Sequence, residues 1–225
     1  GPARMRSFAP PGAGNRDPGA ERRRRYGFRM APPAARRAAL GLNPHIGWAA
    51  LVAIAGPGDA PSVVAKRRLE MATTFERGAV YHAGQALPIA RAEALVRSSE
   101  RIFAAAARAG LAALAAELRR LGLEPVATAV LAGRARSLPP LETILRSHAL
   151  VHAAEGELYR RVLARASEAS GIPSAPVPGD GLPARVAALA GVSEERVVSH
   201  LAAIGKASGR PWGRDQKLAA LAAWV

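Results

Sequence analysis

An α/β fold, built as a mixed sheet with helices on both faces, is what this sequence predicts, and two observations predict it. Three short apolar runs separated by turn residues lie within residues 38–69, and beyond them stretches of helical spacing alternate with two further apolar runs. Strands that follow one another directly pair as a meander, whereas strands separated by helices join a sheet through crossovers. The predicted order is β-β-β-α-β-α-β-α.

The first run, residues 38–42, stops at Asn43-Pro44-His45. The second, residues 48–55, stops at Gly56-Pro57-Gly58. Two apolar runs joined by a tight polar turn predict a buried hairpin, and the third run, residues 62–69, pairs next. The first strand therefore ends on polar residues, at an edge suited to chemistry. Residues 73–87 show no period and carry Tyr81-His82. Pro88 opens a long helix to about residue 121, with Leu95, Ile102, Leu111, Leu114 and Leu118 at helical spacing and Gly122 at its end. Residues 126–131 read as a fourth strand, residues 137–140 open a helix reaching about residue 170, and residues 174–177 form a short fifth strand. Short helices follow over residues 183–190 and, capped by Ser193, to about residue 206; a Gly/Pro loop around Trp212 precedes a closing helix over residues 214–224.

Composition narrows the classes. Apolar residues make up 49% of the 225 positions, enough for a real core, but aromatics are only 4%, so Ala, Leu and Val must build it. The chain has no cysteine, which excludes a disulfide scaffold, a thiolate metal site and a Cys nucleophile. Apolar stretches are short or interrupted by charge, so no membrane span is expected, and with no signal-peptide core the cytoplasm is the expected compartment. Gly1-Pro2 reads as the remnant of a cleaved tag.

The net charge of +15 is uneven. Residues 1–37 hold ten arginines against Asp17 and Glu21, a net +8. They are rich in Pro and Gly without apolar period, and are expected to form a basic, disordered arm ahead of a domain over residues 38–225. Arg22, Arg23, Arg24 and Arg25, with Tyr26 and Phe28 beside them, suit a phosphate-and-base contact; the plain alternative is a solvated tail reflecting a GC-rich genome. Arg210 and Arg214 flank Trp212 in a second patch of that kind, where the ring serves either as a stacking platform or as a packing anchor.

The wording Gly41-Leu42-Asn43-Pro44-His45, then Gly47-Trp48-Ala49, with Asp215-Gln216-Lys217-Leu218-Ala219-Ala220-Leu221 near the end, resembles the RuvC-type Holliday-junction resolvases of the RNase H-like superfamily. Those enzymes open with a Gly-Ile-Asp-Pro-Gly turn and a Thr-Gly-Trp or Thr-Gly-Tyr start to the second strand, and close with an Asp heading an Ala/Leu helix. The resemblance implies an RNase H-like sheet, DNA or RNA as partner, and carboxylates that hold two divalent ions, Mg²⁺ or Mn²⁺, for hydrolysis. The sequence departs from that pattern in its acids. Asn43 stands where the first-strand Asp is expected, and Val130-Leu131-Ala132-Gly133 where a Glu is expected. Asp215 alone remains of the set, so the acidic site reads as degenerate.

A second constellation lies on the helix after the fourth strand. Leu141, Leu145, His148, His152, Glu155 and Tyr159 are spaced by alternating fours and threes and share one face. His148 and His152 with Glu155 offer two imidazoles and a carboxylate to one cation, to which Asn43, His45 or Asp215 add donors if that face meets the sheet edge; the alternative is a pair of packed histidines with Glu155 as their partner. Three functions stay open on these residues. A divergent nuclease binds its ion through Asp215, Glu155, His148 and His152, with Asn43 or His45 positioning water or phosphate. A non-enzymatic nucleic-acid-binding or regulatory protein keeps the fold without the acids. An assembly subunit forms a homo-oligomer through the helix over residues 88–121.

Overall fold

A computed structural model describes residues 36–133 and 137–225. Strands β1 (Arg36–His45), β2 (Trp48–Ala55) and β3 (Ser62–Glu70) form the meander. Two short helices, α1 (Phe75–Gly78) and α2 (Val80–Gly84), occupy the stretch without period, and the long helix α3 spans Ile89–Arg120. Strand β4 (Leu123–Ala132) is followed by α4 (Leu141–Leu145) and α5 (His148–Ala169), then β5 (Ser174–Pro178), α6 (Leu182–Ala190), α7 (Glu194–Ser208) and α8 (Arg214–Trp224). The sheet has five strands in the order β3-β2-β1-β4-β5; β1 to β3 are antiparallel, while β4 runs parallel to β1 and β5 parallel to β4. This is the predicted mixed sheet with helices on both faces.

Two local expectations are corrected. Asn43-Pro44-His45 is strand, not turn: His45 pairs with Trp48, and the reversal falls on Ile46-Gly47, with Gly47 at φ 81°. A two-residue hairpin loop needs a positive φ that Gly alone adopts without cost. Pro44, which lacks an N–H, is tolerated because the β1–β4 register ends at Leu42↔Val130, so that flank of the strand asks for no donor there. The long helix expected after β4 is two helices, because Ser147 adopts extended angles (φ −130°, ψ 116°) and its hydroxyl accepts from the Leu150 N–H at 3.4 Å. Leu141 and Leu145 therefore lie on a separate element, and the shared face begins at His148.

Strand alternation assigns each side chain to a layer. Leu40 and Leu42 of β1 and Ala49, Leu51 and Ala53 of β2 face a core shared with α3 and α5, whose Leu111, Leu118, Leu158 and Tyr159 are fully buried. Burying each such side chain contributes about 1.5–3 kcal/mol. Leu111, Leu114 and Leu118 of α3 are buried here, while Ile102 is 63% exposed. Val52 and Ile54 face the opposite core with Val186, Val197, Leu201 and α8. Gly41 belongs to that second face, and a Cβ there would stand 1.8 Å from the Ala219 carbonyl oxygen, so α8 lies directly on the β1 backbone. The same alternation puts Asn43 and His45 on the α8 side. At the sheet edge, β5 carries Pro176 and Pro178, positions an edge strand accepts.

Candidate functional site

The carboxyl ends of β1, β4 and β5 meet the start of α8. There the Asn43 Nδ2 donates to Asp215 Oδ1 at 3.1 Å, and His45 Nε2 lies 3.1 Å from the same oxygen. Both His45 and Asp215 are about one-third exposed (35% and 34%). Asp215 sits in the first turn of α8, where unpaired backbone N–H groups favour negative charge. A groove of about 260 Å³ opens beside this trio, lined by Asn43, Asp180, Arg160, Arg214 and the β4 end from Leu131 to Gly133. Its two guanidinium groups come from different layers, Arg160 from α5 and Arg214 from α8.

The neighbouring hairpin end carries an aromatic stack. His45 and Trp48, paired across the hairpin, stack with ring centroids 4.2 Å apart and 8° between planes, and the Arg68 guanidinium lies 3.6 Å from the centre of the Trp48 ring. Arg68 also pairs with Glu70 on its own strand. Trp48, Lys66, Arg67, Arg68, Arg210 and Gln216 line a groove of about 510 Å³. Lys66 reaches the Gly209 carbonyl, tying β3 to the loop before α8. Trp212, half-buried, presses on Gly205 and donates its Nε1 to the Leu201 carbonyl at 3.2 Å, so that ring anchors the loop to α7. Arg210 and Arg214 are exposed on either side of it. Arg22, Arg23, Arg24 and Arg25 lie outside the described residues.

A separate cluster sits where α2 meets α5. Glu155 is 1% exposed; its Oε1 accepts from the Tyr81 N–H at 2.8 Å and the His82 N–H at 3.3 Å, and lies 3.3 Å from His82 Nδ1. Burial raises the Glu155 pKa, and those donors work against the shift. The Nε2 atoms of His148 and His152 are 3.0 Å apart, and His82, His148 and His152 each bring a ring nitrogen within 4.8 Å of the others. Desolvation, aided by the neighbouring imidazoles, lowers the His152 pKa. Among the described residues this is the one group of three or more His, Asp or Glu with metal-binding spacing.

No family model and no curated protein matches the chain. Solved structures do. T. thermophilus RuvC in complex with a Holliday-junction substrate aligns over 83% of this chain and 90% of its own, at 16% identity and a TM-score of 0.50. A second T. thermophilus RuvC structure aligns over the same shares at 14% identity and a TM-score of 0.47. The fold is RuvC-like.

On this RuvC-like fold the candidate residues fall into distinct groups. Asn43, His45 and Asp215 meet at the second face of the sheet, where α8 packs. Glu155, His148 and His152 belong to α5, which packs on the first face, and Glu155 turns its carboxylate to α2. Asp215 is not in the histidine group. His82 is the member that sequence reasoning missed: it lies on a five-residue helix too short to show a period, and its one signal was a Tyr-His pair in an otherwise unpatterned stretch. Trp48 was missed in a similar way, since its neighbour across the sheet, Arg68, is 20 positions away and only the register brings them together. No helix among the described residues is long and apolar enough to cross a membrane.

Proposed function

We propose that this protein binds nucleic acid through the carboxyl end of its sheet and does not cleave it by a two-metal mechanism. The observation that carries this reading is Asp215 paired with the Asn43 amide and His45, beside a groove lined by Arg160 and Arg214. Mg²⁺ and Mn²⁺ need several convergent oxygen donors, and two ions need carboxylates shared between them. Among the described residues this place offers the Asp215 carboxylate, already engaged, and the exposed Asp180; β1 presents a neutral amide, and β4 ends in Leu131, Ala132 and Gly133. The donor set does not fit a pair of divalent ions. Guanidinium groups in its place suit phosphate oxygens instead.

The stack of His45, Trp48 and Arg68 supplies a second contact type. The Trp48 ring lies between the His45 ring and the Arg68 guanidinium, so a base stacks on it by displacing Arg68 toward a phosphate, and Lys66 and Arg210 stand beside it. Residues 1–35 hold eight arginines against Asp17 and Glu21, and this net +6 adds sequence-independent attraction for phosphate. The solved RuvC neighbour was captured with a Holliday junction, so four-way junction DNA is the first probe.

The test is fluorescence anisotropy with labelled junction, duplex, single strand and RNA–DNA hybrid across a salt series, with and without Mg²⁺. Affinity is expected to fall steeply with salt, to drop about tenfold with Trp48→Ala or Arg68→Ala, and to weaken again on removal of residues 1–34. Salt-insensitive or absent binding overturns the reading, as does Mg²⁺-dependent cleavage that Asp215→Ala abolishes.

A further inference from the structure

We infer that His82, His148 and His152 form a binding site for a borderline transition-metal ion of the Zn²⁺ type, with Glu155 as the carboxylate partner of His82, clipping α2 to α5. The site is independent of the Asn43–Asp215 trio, and its chemistry differs from that expected for a RuvC-like fold: imidazole nitrogen suits Zn²⁺, Ni²⁺ or Cu²⁺, whereas Mg²⁺ takes oxygen.

Three features of the geometry support it. First, the three ring nitrogens already converge within 4.8 Å, and the two on α5 are 3.0 Å apart because an i, i+4 pair lies on one helix face. Zinc–imidazole bonds of about 2.0–2.1 Å place ligand nitrogens roughly 3.4 Å apart, which rotations of two exposed rings reach. Second, the rings stand edge to face, at 71° to 83° to one another, and are not stacked. The 3.0 Å approach of the two Nε2 atoms is hydrogen-bond distance, and an ion bound between them replaces that bond with two metal–nitrogen bonds. Third, His82 Nδ1 lies 3.3 Å from the Glu155 carboxylate, and a proton held on Nδ1 by that carboxylate leaves Nε2 as the ligand nitrogen. This carboxylate–histidine pairing is what orients a ligating imidazole and strengthens it as a donor.

Glu155 itself points to a cation. It is 1% exposed, one of its oxygens serves three donors, and the other has no hydrogen-bond partner among the described residues. One oxygen of this buried carboxylate is thus left without a hydrogen-bond partner among the described residues, and the nearest group able to carry a counter-charge is His82 itself. A dication on the imidazoles answers it through His82. His148 and His152 are exposed, so the remaining coordination positions face solvent.

The test is titration of the full-length, tag-free protein with Co²⁺, read by its visible d–d bands, and with Zn²⁺, read by calorimetry and thermal unfolding. One ion per chain is expected, with melting raised by roughly 5–10 °C at free Zn²⁺ a hundred times the dissociation constant. His82→Ala, His148→Ala and His152→Ala should each weaken binding at least tenfold, and Glu155→Gln should weaken it about 10–100-fold. Asp215→Ala should leave it unchanged. His148 and His152 are exposed, so their variants keep the fold, as circular dichroism will verify, and they decide the matter if the buried Glu155 variant does not. Absence of saturable binding overturns the site. So does wild-type affinity in His82→Ala, which would reduce it to an ordinary histidine pair, and so does loss of binding in Asp215→Ala.

Discussion

The Asn43 amide and the Asp215 carboxylate, 172 positions apart in the chain, meet at 3.1 Å. Three things place them there. Strand alternation turns Asn43 to the α8 side, Gly41 two residues earlier lets α8 lie on the strand, and Asp215 occupies the first turn of that helix. An aspartate at a helix start is already favoured by the local dipole, and the amide adds a donor in place of a metal ion. The pair stands as a self-sufficient hydrogen bond.

Restoring an acid on β1 tests that description. In Asn43→Asp two carboxylates would face one another at the distance now spanned by a hydrogen bond, so one of them must hold a proton or the helix start must move away. The expected result is a lower melting temperature in EDTA, by roughly 2–6 °C for a loss of about 1–2 kcal/mol, and recovery on adding millimolar Mg²⁺. The wild type should melt at the same temperature with and without Mg²⁺. Differential scanning fluorimetry measures both, and an Mg²⁺ response in the wild type would contradict the account of the donor set given above.

Much of the fold was legible because its signals are periodic. The Leu and Val runs of β1 to β4 and the Leu spacing of α3 report burial of one face, and Pro88 and Gly122 bracket that helix within a residue or two of its observed ends. The hairpin was misplaced because Asn-Pro-His is turn-rich in composition, while the strand tolerates Pro44 only through the end of its β4 register, a tertiary fact. The break at Ser147 was hidden because the 3–4 spacing of Leu145, His148 and His152 continues across it by coincidence. At the site, Asn43, His45 and Asp215 were readable from local wording. The partners that give them meaning, Arg160 across the sheet and Arg68 two strands away, come together only through topology, as does His82 above Glu155.

Gly41 is expected to be intolerant of any side chain. A Cβ there would meet the Ala219 carbonyl oxygen at 1.8 Å, its carbon at 2.8 Å and the Ala223 nitrogen at 2.9 Å, all backbone atoms that cannot rotate aside. Gly41→Ala must therefore lift α8 from the sheet, at a cost of about 3 kcal/mol or more. It should also part Asn43 from Asp215 and weaken nucleic-acid binding. Gly58→Ala, where nothing lies within 4 Å of the added carbon, should change stability by no more than about 0.5 kcal/mol. Urea unfolding of the two variants compares them directly, and equal midpoints would mean that α8 does not rest on β1 as described.

An ion-pair network between α3 and α5 gives the chain a predictable acid response. Arg161 grips Glu100 with both ends of its fork, at 3.0 and 3.1 Å, and Arg165 adds a contact at 3.2 Å. The hydrogen bond from Arg161, with the charge of both arginines, holds the Glu100 carboxyl below its usual value of 4.5 despite partial burial. A carboxylate whose pKa is lower in the folded than in the unfolded chain stabilises the fold above the ordinary glutamate range. That stabilisation is lost as pH falls through the lowered value. Glu100→Gln should thus cost about 1 kcal/mol at pH 7, a modest figure because both arginines keep contact with water. The gap between variant and wild type should narrow as pH drops below about 4.5 and close once Glu100 is protonated in both states. Chemical denaturation at pH 7, 5 and 3 reads this out; a gap that does not narrow at all between pH 5 and pH 3 would trace the effect to packing and not to charge.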